Sequence, residues 1–189
     1  MSDPATSDEH LLRQMQEGSE EALVELYGRY QGGLYRFALH MSGNSALAEE
    51  VTQETFLQLI LRPEGYRQQR GPLAAFLFGI ARNLTYRGLR QQKACDQLED
   101  EDLGREILLP ENGTALEELT RSQDLEQLRK AVLALPQMYR EAIVLCDLQE
   151  ASYAQAAELL GCSPGTVASR LHRARLLLER RLRSSPCRS

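Results

Sequence analysis

Apolar residues recur at steps of three and four along most of this 189-residue chain, which is the period of an amphipathic α-helix. One such row consists of Leu23, Leu26, Tyr30, Leu34, Phe37 and Met41. Another lies within residues 45–61 and consists of Ala48, Val51, Thr55 and Leu59. Strict alternation of apolar and polar residues, which would indicate a β-strand, is nowhere convincing. The pattern therefore predicts an all-α protein.

A second group of helical rows follows in the last third of the chain. The first of them consists of Leu125, Leu128, Val132 and Leu135. Pro136 breaks this row, and a shorter apolar row spans residues 139–148. Between the two groups, residues 95–120 are rich in Asp and Glu and lack sustained apolar periodicity. The sequence thus predicts two small helical domains, residues 1–94 and 121–189, joined by a flexible acidic linker.

Two helices joined by a tight turn are predicted near the carboxy terminus. Ser152 can cap the first helix, and Gly161 can supply the left-handed residue that ends it. Ser163 can cap the second helix, with Pro164 at the first helical position, where proline is tolerated. The second helix has a row suited to burial, made of Val167, Leu171, Ala174 and Leu178. This arrangement is typical of a helix-turn-helix motif.

The start and outer face of the second helix have the composition of a DNA-recognition helix. They hold small hydroxyl residues and arginines, namely Ser163, Thr166, Ser169, Arg170 and Arg173. Arginine can bind a guanine edge bidentately or clamp a phosphate, and small Ser and Thr allow close approach to the major groove. The alternative is that these residues form only a solvated surface.

The net charge of -5 conceals blocks of opposite sign. Residues 62–95 and 166–189 each hold seven Lys and Arg side chains against one acidic side chain, whereas residues 96–126 hold eleven acidic and two basic side chains. Clustered arginines form the electrostatic footprint of a nucleic-acid-binding protein whatever its overall charge. Two basic blocks predict two contacts with a polyanion, unless both are simply solvated helix faces.

Residues that carry enzyme chemistry are sparse. The three histidines lie in unrelated segments, and neither a phosphate-binding loop nor a nucleophile elbow is present. The four cysteines lack a C-x-x-C pair, so free thiols are expected rather than a zinc site or a disulfide framework. We expect no catalytic residue, no metal and no cofactor.

The sequence also predicts a cytoplasmic protein without stable membrane insertion. Its longest apolar stretch, residues 73–81, is about half the roughly 20 residues that a membrane span needs. The amino terminus lacks the basic and then apolar pattern of a signal peptide.

Three segments of the chain resemble a known protein family. Residues 137–178, QMYREAIVLCDLQEASYAQAAELLGCSPGTVASRLHRARLLL, resemble region 4 of the extracytoplasmic-function, or group 4, sigma factors of bacterial RNA polymerase. Residues 48–60, AEEVTQETFLQLI, resemble the region 2 helix that docks on the beta-prime clamp helices of the polymerase. Residues 76–83, FLFGIARN, resemble the next helix, which meets the minus-ten element. The resemblance implies a transcription initiation factor that directs core RNA polymerase to promoter DNA and is not an enzyme.

Polymerase docking is implied for the helix over residues 48–60. Its face away from the Val51 row carries acidic and amide side chains, which suit a basic partner helix. These residues are Glu49, Glu50, Gln53 and Glu54. The alternative is that they are only solubilising charges.

Minus-ten DNA is implied to contact the next loop and helix. Residues 62–72, RPEGYRQQRGP, are predicted to form a mobile basic loop, which suits single-stranded DNA. Members of the family use this loop to capture a flipped minus-ten base and so open the duplex. The implied contacts are Tyr66 and Arg67 around the base, Asn83 as its hydrogen-bonding partner, and Arg82, Arg87 and Arg90 along the backbone. For Asn83 the alternative is a buried or helix-capping role.

Further partners follow from the resemblance alone. Region 4 is implied to read the minus-thirty-five element and to touch the beta flap of the polymerase, and relatives are commonly held inactive by an anti-sigma factor. Two other functions stay open. One is a helix-turn-helix repressor that binds DNA by itself, and the other is a sigma-like regulator that binds polymerase without opening promoters.

Overall fold

All regular secondary structure in the described residues is helical, as predicted. The computed structural model describes residues 7–96 and 125–184. The first range forms α1 (Asp8–Gln16), α2 (Glu20–Ser42), α3 (Ser45–Leu61) and α4 (Leu73–Asp96). The second forms α5 (125–133), α6 (Gln137–Ile143) with a π-helical continuation (Val144–Leu148), α7 (Tyr153–Leu160) and α8 (Pro164–Ser184). Within these two ranges, none of the helices is long and apolar enough to cross a membrane.

Polar caps begin the first three helices of residues 7–96, the range that we call the amino-terminal unit. The side chains of Ser7, Ser19 and Asn44 each accept a hydrogen bond of 3.2 Å from a backbone N–H in the first turn of their helix. Gly43 ends α2 in the left-handed conformation, at φ 71°. These residues satisfy backbone groups that helix ends leave open, so the local sequence sets where the helices begin and end.

The predicted rows of α2 and α3 form the core of the amino-terminal unit together with α4. Its buried members include Leu26, Leu34, Ala38, Val51, Leu59, Leu73, Leu77 and Ala81. Thr55 lies in the buried row of α3, where its hydroxyl donates to the Val51 carbonyl at 2.7 Å. Because this hydroxyl is satisfied within its own helix, it costs little to bury.

Residues 125–184, the carboxy-terminal unit, contain the predicted helix-turn-helix. Ser152 and Gln155 form a capping box at the start of α7, and Gly161 ends α7 at φ 63°. Ser163 accepts a hydrogen bond of 3.2 Å from the Thr166 N–H at the start of α8. The predicted row of α8 is buried at all four positions, Val167, Leu171, Ala174 and Leu178.

The two units share a hydrophobic cluster that the sequence did not predict. Phe37 and Met41, at the end of the α2 row, are fully buried in it, and the Phe37 ring meets Phe78 of α4 edge-on at 5.7 Å. The members from the carboxy-terminal unit are Val144, Leu145, Ala156, Ala157, Leu160 and Val167. The helical period correctly identified the apolar residues of α2, but the last turns of this row face the other unit.

Two segments predicted to lack regular structure contain helical turns. Helix α4 continues to Asp96, so the first two residues of the predicted linker are helical, and residues 97–120 of that linker lie outside the described residues. The segment 62–72, predicted as a mobile loop, contains two short 3-10 turns, Pro63–Gly65 and Gln68–Arg70. Each turn is closed by backbone hydrogen bonds, which the periodicity of side chains cannot reveal.

Candidate polymerase and nucleic-acid interfaces

The residues predicted to bind polymerase lie on the outer face of α3. The side chains of Glu49, Glu50 and Gln53 are exposed and that of Glu54 is partly exposed. The opposite face buries Val51 and Thr52, and the Thr52 hydroxyl donates to the Ala48 carbonyl at 2.7 Å. The burial of one face fixes the rotation of α3, so the acidic face points away from the core.

Exposed apolar side chains on α2 and α3 extend this surface and were missed by the sequence analysis. On α3 they are Leu57, Ile60 and Leu61, and on α2 they are Val24 and Tyr27. The Tyr27 ring packs on Phe56 with 4.7 Å between centroids, which brings the two helices together at this point. The signal in the sequence was the apolar character of α3 on all sides near its end, a pattern that favours a partner over water.

Three of the predicted minus-ten residues form one exposed row on α4. Asn83, Arg87 and Arg90 are exposed and lie at steps of four and three, which places them on one side of the helix. Asn83 is neither buried nor at a helix end, so the alternative of a buried or capping Asn83 is not observed. The row presents one amide and two guanidinium groups to solvent.

The fourth α4 residue, Arg82, is turned toward the carboxy-terminal unit. Its Nε donates to Glu141 of α6, its Nη2 lies 3.5 Å from Glu141 Oε2, and its guanidinium lies 5.6 Å from the centre of the Tyr86 ring. Burial alone would lower the pKa of the Arg82 guanidinium, but the hydrogen bond and the charge of Glu141 outweigh burial and raise the pKa. Arg82 is therefore a fixed cation, held by a carboxylate 59 residues away.

A groove of about 630 Å³ runs beside this pair, between α4 and the turn that precedes α6. The α4 wall includes Asn83 and Arg90, and the other wall includes Pro136 and Gln137. The remaining lining residues are Tyr86, Leu89, Leu135 and Arg140. The predicted minus-ten face of α4 thus borders directly on the carboxy-terminal unit.

The loop residues Tyr66 and Arg67 are placed differently from each other. The Arg67 side chain is exposed, whereas the Tyr66 ring packs on Phe76 with 5.8 Å between centroids. The Tyr66 hydroxyl is buried and finds no hydrogen-bond partner among the described residues. Burial raises the pKa of Tyr66. In this conformation the Tyr66 ring is held against Phe76 and does not project freely into solvent.

The predicted minus-thirty-five residues gather at the start and outer face of α8. The hydroxyls of Ser163 and Thr166 lie 2.9 Å apart, and the Ser169 hydroxyl donates to the Thr166 carbonyl at 2.9 Å. Ser163, Ser169 and Arg173 are exposed, and Arg170 and Thr166 are partly exposed. The structure therefore brings all five residues to one surface, next to the buried row that orients the helix.

An ion pair missed by the sequence analysis ties α8 to the π-helical turn after α6. Arg175 donates to Asp147 through Nε at 3.0 Å and through Nη2 at 2.6 Å. The two oxygens of one carboxylate thus receive both arms of the guanidinium, a geometry that fixes direction as well as distance. The residues are 28 apart in sequence, so no spacing rule predicts the pair.

The described cysteines are not joined in a disulfide. Cys146 and Cys162 are free, and burial raises the pKa of the Cys146 thiol, which favours the unreactive protonated form. Among residues 7–96 and 125–184, no group of three or more His, Cys, Asp or Glu side chains could hold a metal ion.

Comparison with known proteins identifies the family of this chain. The Sigma-70 region 2 family matches residues 26–95, and the Sigma-70, region 4 family matches residues 125–178. The ECF RNA polymerase sigma factor SigW of Bacillus subtilis is 30% identical over 91% of this chain and 95% of its own length. The ECF RNA polymerase sigma factor EcfG of Rhodopseudomonas palustris is 35% identical over 75% of each chain.

A solved structure agrees with these sequence matches. The sigma factor RpoE of Bartonella quintana, in complex with the anti-sigma factor NepR, is 28% identical to this chain and superimposes with a TM-score of 0.65. The match covers 85% of this chain and 96% of that one. The resemblance inferred from three segments is thus confirmed over most of the chain. The chain belongs to the ECF sigma factors, the proteins that direct RNA polymerase to promoters.

Proposed function

We propose that this sigma factor works through three surfaces. Helix α3 binds core RNA polymerase, α4 and the loop before it open the minus-ten element, and α8 reads the minus-thirty-five element. The observation that carries the proposal is the exposed row of Asn83, Arg87 and Arg90 on the same chain as an exposed helix-turn-helix surface. The factor acts by binding, in the cytoplasm where polymerase and template meet, and the polymerase performs the catalysis.

The outer face of α3 suits the beta-prime clamp helices because it combines two kinds of contact. Glu49, Glu50, Gln53 and Glu54 offer negative charge and hydrogen-bonding groups, which orient a basic partner helix and speed its encounter. Leu57 and Leu61, with 49% and 74% of their surface exposed, supply apolar area whose burial stabilises the complex. Neither contact requires the core of the amino-terminal unit to move.

The α4 row suits an opened strand of DNA. The Asn83 amide carries both a donor and an acceptor, which can pair with the edge of a base that has left the stack. Arg87 and Arg90 continue along the same side of the helix and can bind successive phosphates. Arg67 and Tyr66 lie in the loop before α4, where Tyr66, packed on Phe76, would form a wall of the base pocket.

The α8 surface suits duplex DNA. The small side chains Ser163, Thr166 and Ser169 leave room for the helix start to enter the major groove, while Arg170 and Arg173 reach bases or phosphates. Exposed Leu148 and Tyr153 lie outside this helix and offer apolar area to the beta flap of the polymerase. Because RpoE of Bartonella quintana was solved with the anti-sigma factor NepR, we also propose an anti-sigma factor as a partner of this chain.

The test is transcription from a pool of random promoter sequences with purified core polymerase, with and without the factor, followed by sequencing of the transcript starts. We expect starts that depend on the factor and share motifs near minus ten and minus thirty-five. Asn83→Ala should reduce permanganate reactivity of the minus-ten thymines, because one base contact is lost. Gln16→Ala, which removes an exposed amide at the end of α1, is the matched control and should open promoters normally.

Two outcomes would contradict the proposal. If the polymerase binds the factor but no promoter opens, the chain is a sigma-like regulator. If the polymerase ignores the factor and the chain alone binds duplex DNA tightly, it is a helix-turn-helix repressor.

A further inference from the structure

The contact between α4 and α6 contains a buried carboxylate whose observed partners both lie on the other unit. Glu141 is 1% exposed, and it accepts hydrogen bonds from the Arg82 guanidinium and from the Tyr86 hydroxyl. Burial, and then the hydrogen bond to Glu141, raises the pKa of Tyr86, so this hydroxyl stays protonated and donates. We call this arrangement the closed contact.

A buried carboxylate needs such partners. Removing a charge from water costs several kcal/mol unless paired and hydrogen-bonded groups replace the water. The donors observed for Glu141 come from two positions one turn apart on α4. Glu141 is therefore satisfied in its buried position only while α6 lies on α4, and separation of the units must return it to water.

The surroundings make the closed contact specific. Arg140, beside Glu141, donates to the Met41 carbonyl of α2 at 2.6 Å and to the Leu135 carbonyl at 3.1 Å. Gln149 Nε2 donates to the Gly33 carbonyl of α2 at 3.4 Å. Together with the shared hydrophobic cluster, these contacts define one position of the carboxy-terminal unit on α2 and α4.

A carboxylate that is bound to an arginine guanidinium occupies the position in which a phosphate could bind. Both anions accept the paired N–H groups of arginine in similar geometry, so one guanidinium arm cannot serve both at once. In the closed contact this acceptor is Glu141, and the groove wall formed by Pro136 and Gln137 stands across from Asn83 and Arg90. A DNA strand that follows the α4 row would meet the carboxy-terminal unit.

We propose that the closed contact is autoinhibitory, with Glu141 standing in for a DNA phosphate at Arg82. This inference rests on the proposed function, since it takes Arg82 and the α4 row to be the minus-ten surface. Strand binding and closure then compete, and the apparent affinity of the free factor for single-stranded DNA is reduced by the fraction of molecules that are open.

The test measures binding of the full chain to fluorescein-labelled single-stranded DNA of random sequence, about 20 nucleotides long so that it exceeds one binding site. The variant is Glu141→Gln, which keeps the shape but removes the charge that holds Arg82. The matched control is Glu17→Gln, which removes the same charge from an exposed glutamate at the end of α1, away from the proposed DNA-binding helices. We expect the dissociation constant of Glu141→Gln to be lower than that of the control by about tenfold, equivalent to about 1.4 kcal/mol.

Two further measurements separate opening from added charge. Tyr86→Phe removes one donor to Glu141 without changing the net charge, and it should tighten DNA binding in the same direction by a smaller factor. Small-angle scattering should give a larger radius of gyration for Glu141→Gln than for wild type or Glu17→Gln. If Glu141→Gln does not fold, as judged by circular dichroism, Tyr86→Phe decides the question by the same two readouts.

The outcomes distinguish this inference from the proposed function. Equal DNA affinity and equal radius of gyration for Glu141→Gln and Glu17→Gln would overturn autoinhibition, even when both variants start transcription with polymerase. Tighter DNA binding and expansion in Glu141→Gln would support autoinhibition. Should wild type and variants then all fail to start transcription, the closed contact would stand as a control of DNA binding and the promoter-opening function would fall.

Discussion

The two helices proposed to bind DNA, α4 and α8, are held in different ways. Helix α8 is positioned by its own unit, through the Ser163 cap, a row of four buried side chains and the Arg175–Asp147 pair. Helix α4 is shared, because Arg82 pairs with Glu141 of the other unit while Asn83 remains exposed one residue later. The recognition surface of α8 is therefore open to solvent in a state in which the surface of α4 is partly occupied.

The largest effect is expected where the two units meet. Phe37→Ala should lower the free energy of unfolding by about 3–5 kcal/mol, because it leaves a cavity in the shared cluster where Phe37 is 2% exposed. Chemical denaturation with circular dichroism measures this change. The control is Leu61→Ala, at a side chain 74% exposed, where a change within about 0.5 kcal/mol is expected. Equal effects would mean that the shared cluster does not contribute to stability.

The different positioning of the two helices explains how much could be predicted from the sequence. The caps and buried row of α8 were predicted because they depend on residues within a few positions of one another. Asn83 was predicted only through the family resemblance of residues 76–83, and its exposure was left open until the structure showed it. The partner of Arg82 could not be predicted, because it lies 59 residues away. Glu141 stands in the mostly apolar stretch 139–148, beside Arg140, and nothing in that stretch points to Arg82 as its partner.

Gly43 and Gly161 both end helices in the left-handed conformation, at φ 71° and φ 63°. At Gly161 an added Cβ meets open space, so Gly161→Ala should cost only the backbone strain of about 1–2 kcal/mol. At Gly43 an added Cβ would lie 2.6 Å from Leu133 Cδ1 of the carboxy-terminal unit. Gly43→Ala should therefore lower the free energy of unfolding by more than Gly161→Ala and loosen the closed contact.

Thermal unfolding of the two glycine variants gives the stability difference, and binding to single-stranded DNA reports on the closed contact. We expect tighter DNA binding for Gly43→Ala than for Gly161→Ala. A larger loss of stability in Gly161→Ala would mean that Leu133 moves aside freely and that this turn does not link the units.

A smaller, pH-dependent effect is expected at His40 of α2. Burial, and then the positive charges of Arg129 on α5 and Arg36 on α2, lower the pKa of His40 below its ordinary value of 6.5. Just below pH 6.5 the unfolded chain binds a proton that the folded chain does not, so stability falls as the pH drops through this window. The decline ends below the folded-state pKa. In unfolding measured across this range, His40→Gln should flatten the slope, whereas His172→Gln, at an exposed histidine of α8, should keep it.

The smallest effect is expected at the ion pair that orients α8. Asp147→Asn should lower the free energy of unfolding by less than about 1 kcal/mol, because Arg175 is 57% exposed and water and salt screen the pair. Its effect on DNA binding should nevertheless be detectable, since Asp147 fixes the direction of a guanidinium on the proposed recognition helix. Binding to duplex DNA should become tighter and more salt-dependent when Arg175 is released to bind a phosphate. An unchanged salt dependence would show that Arg175 stays away from the DNA.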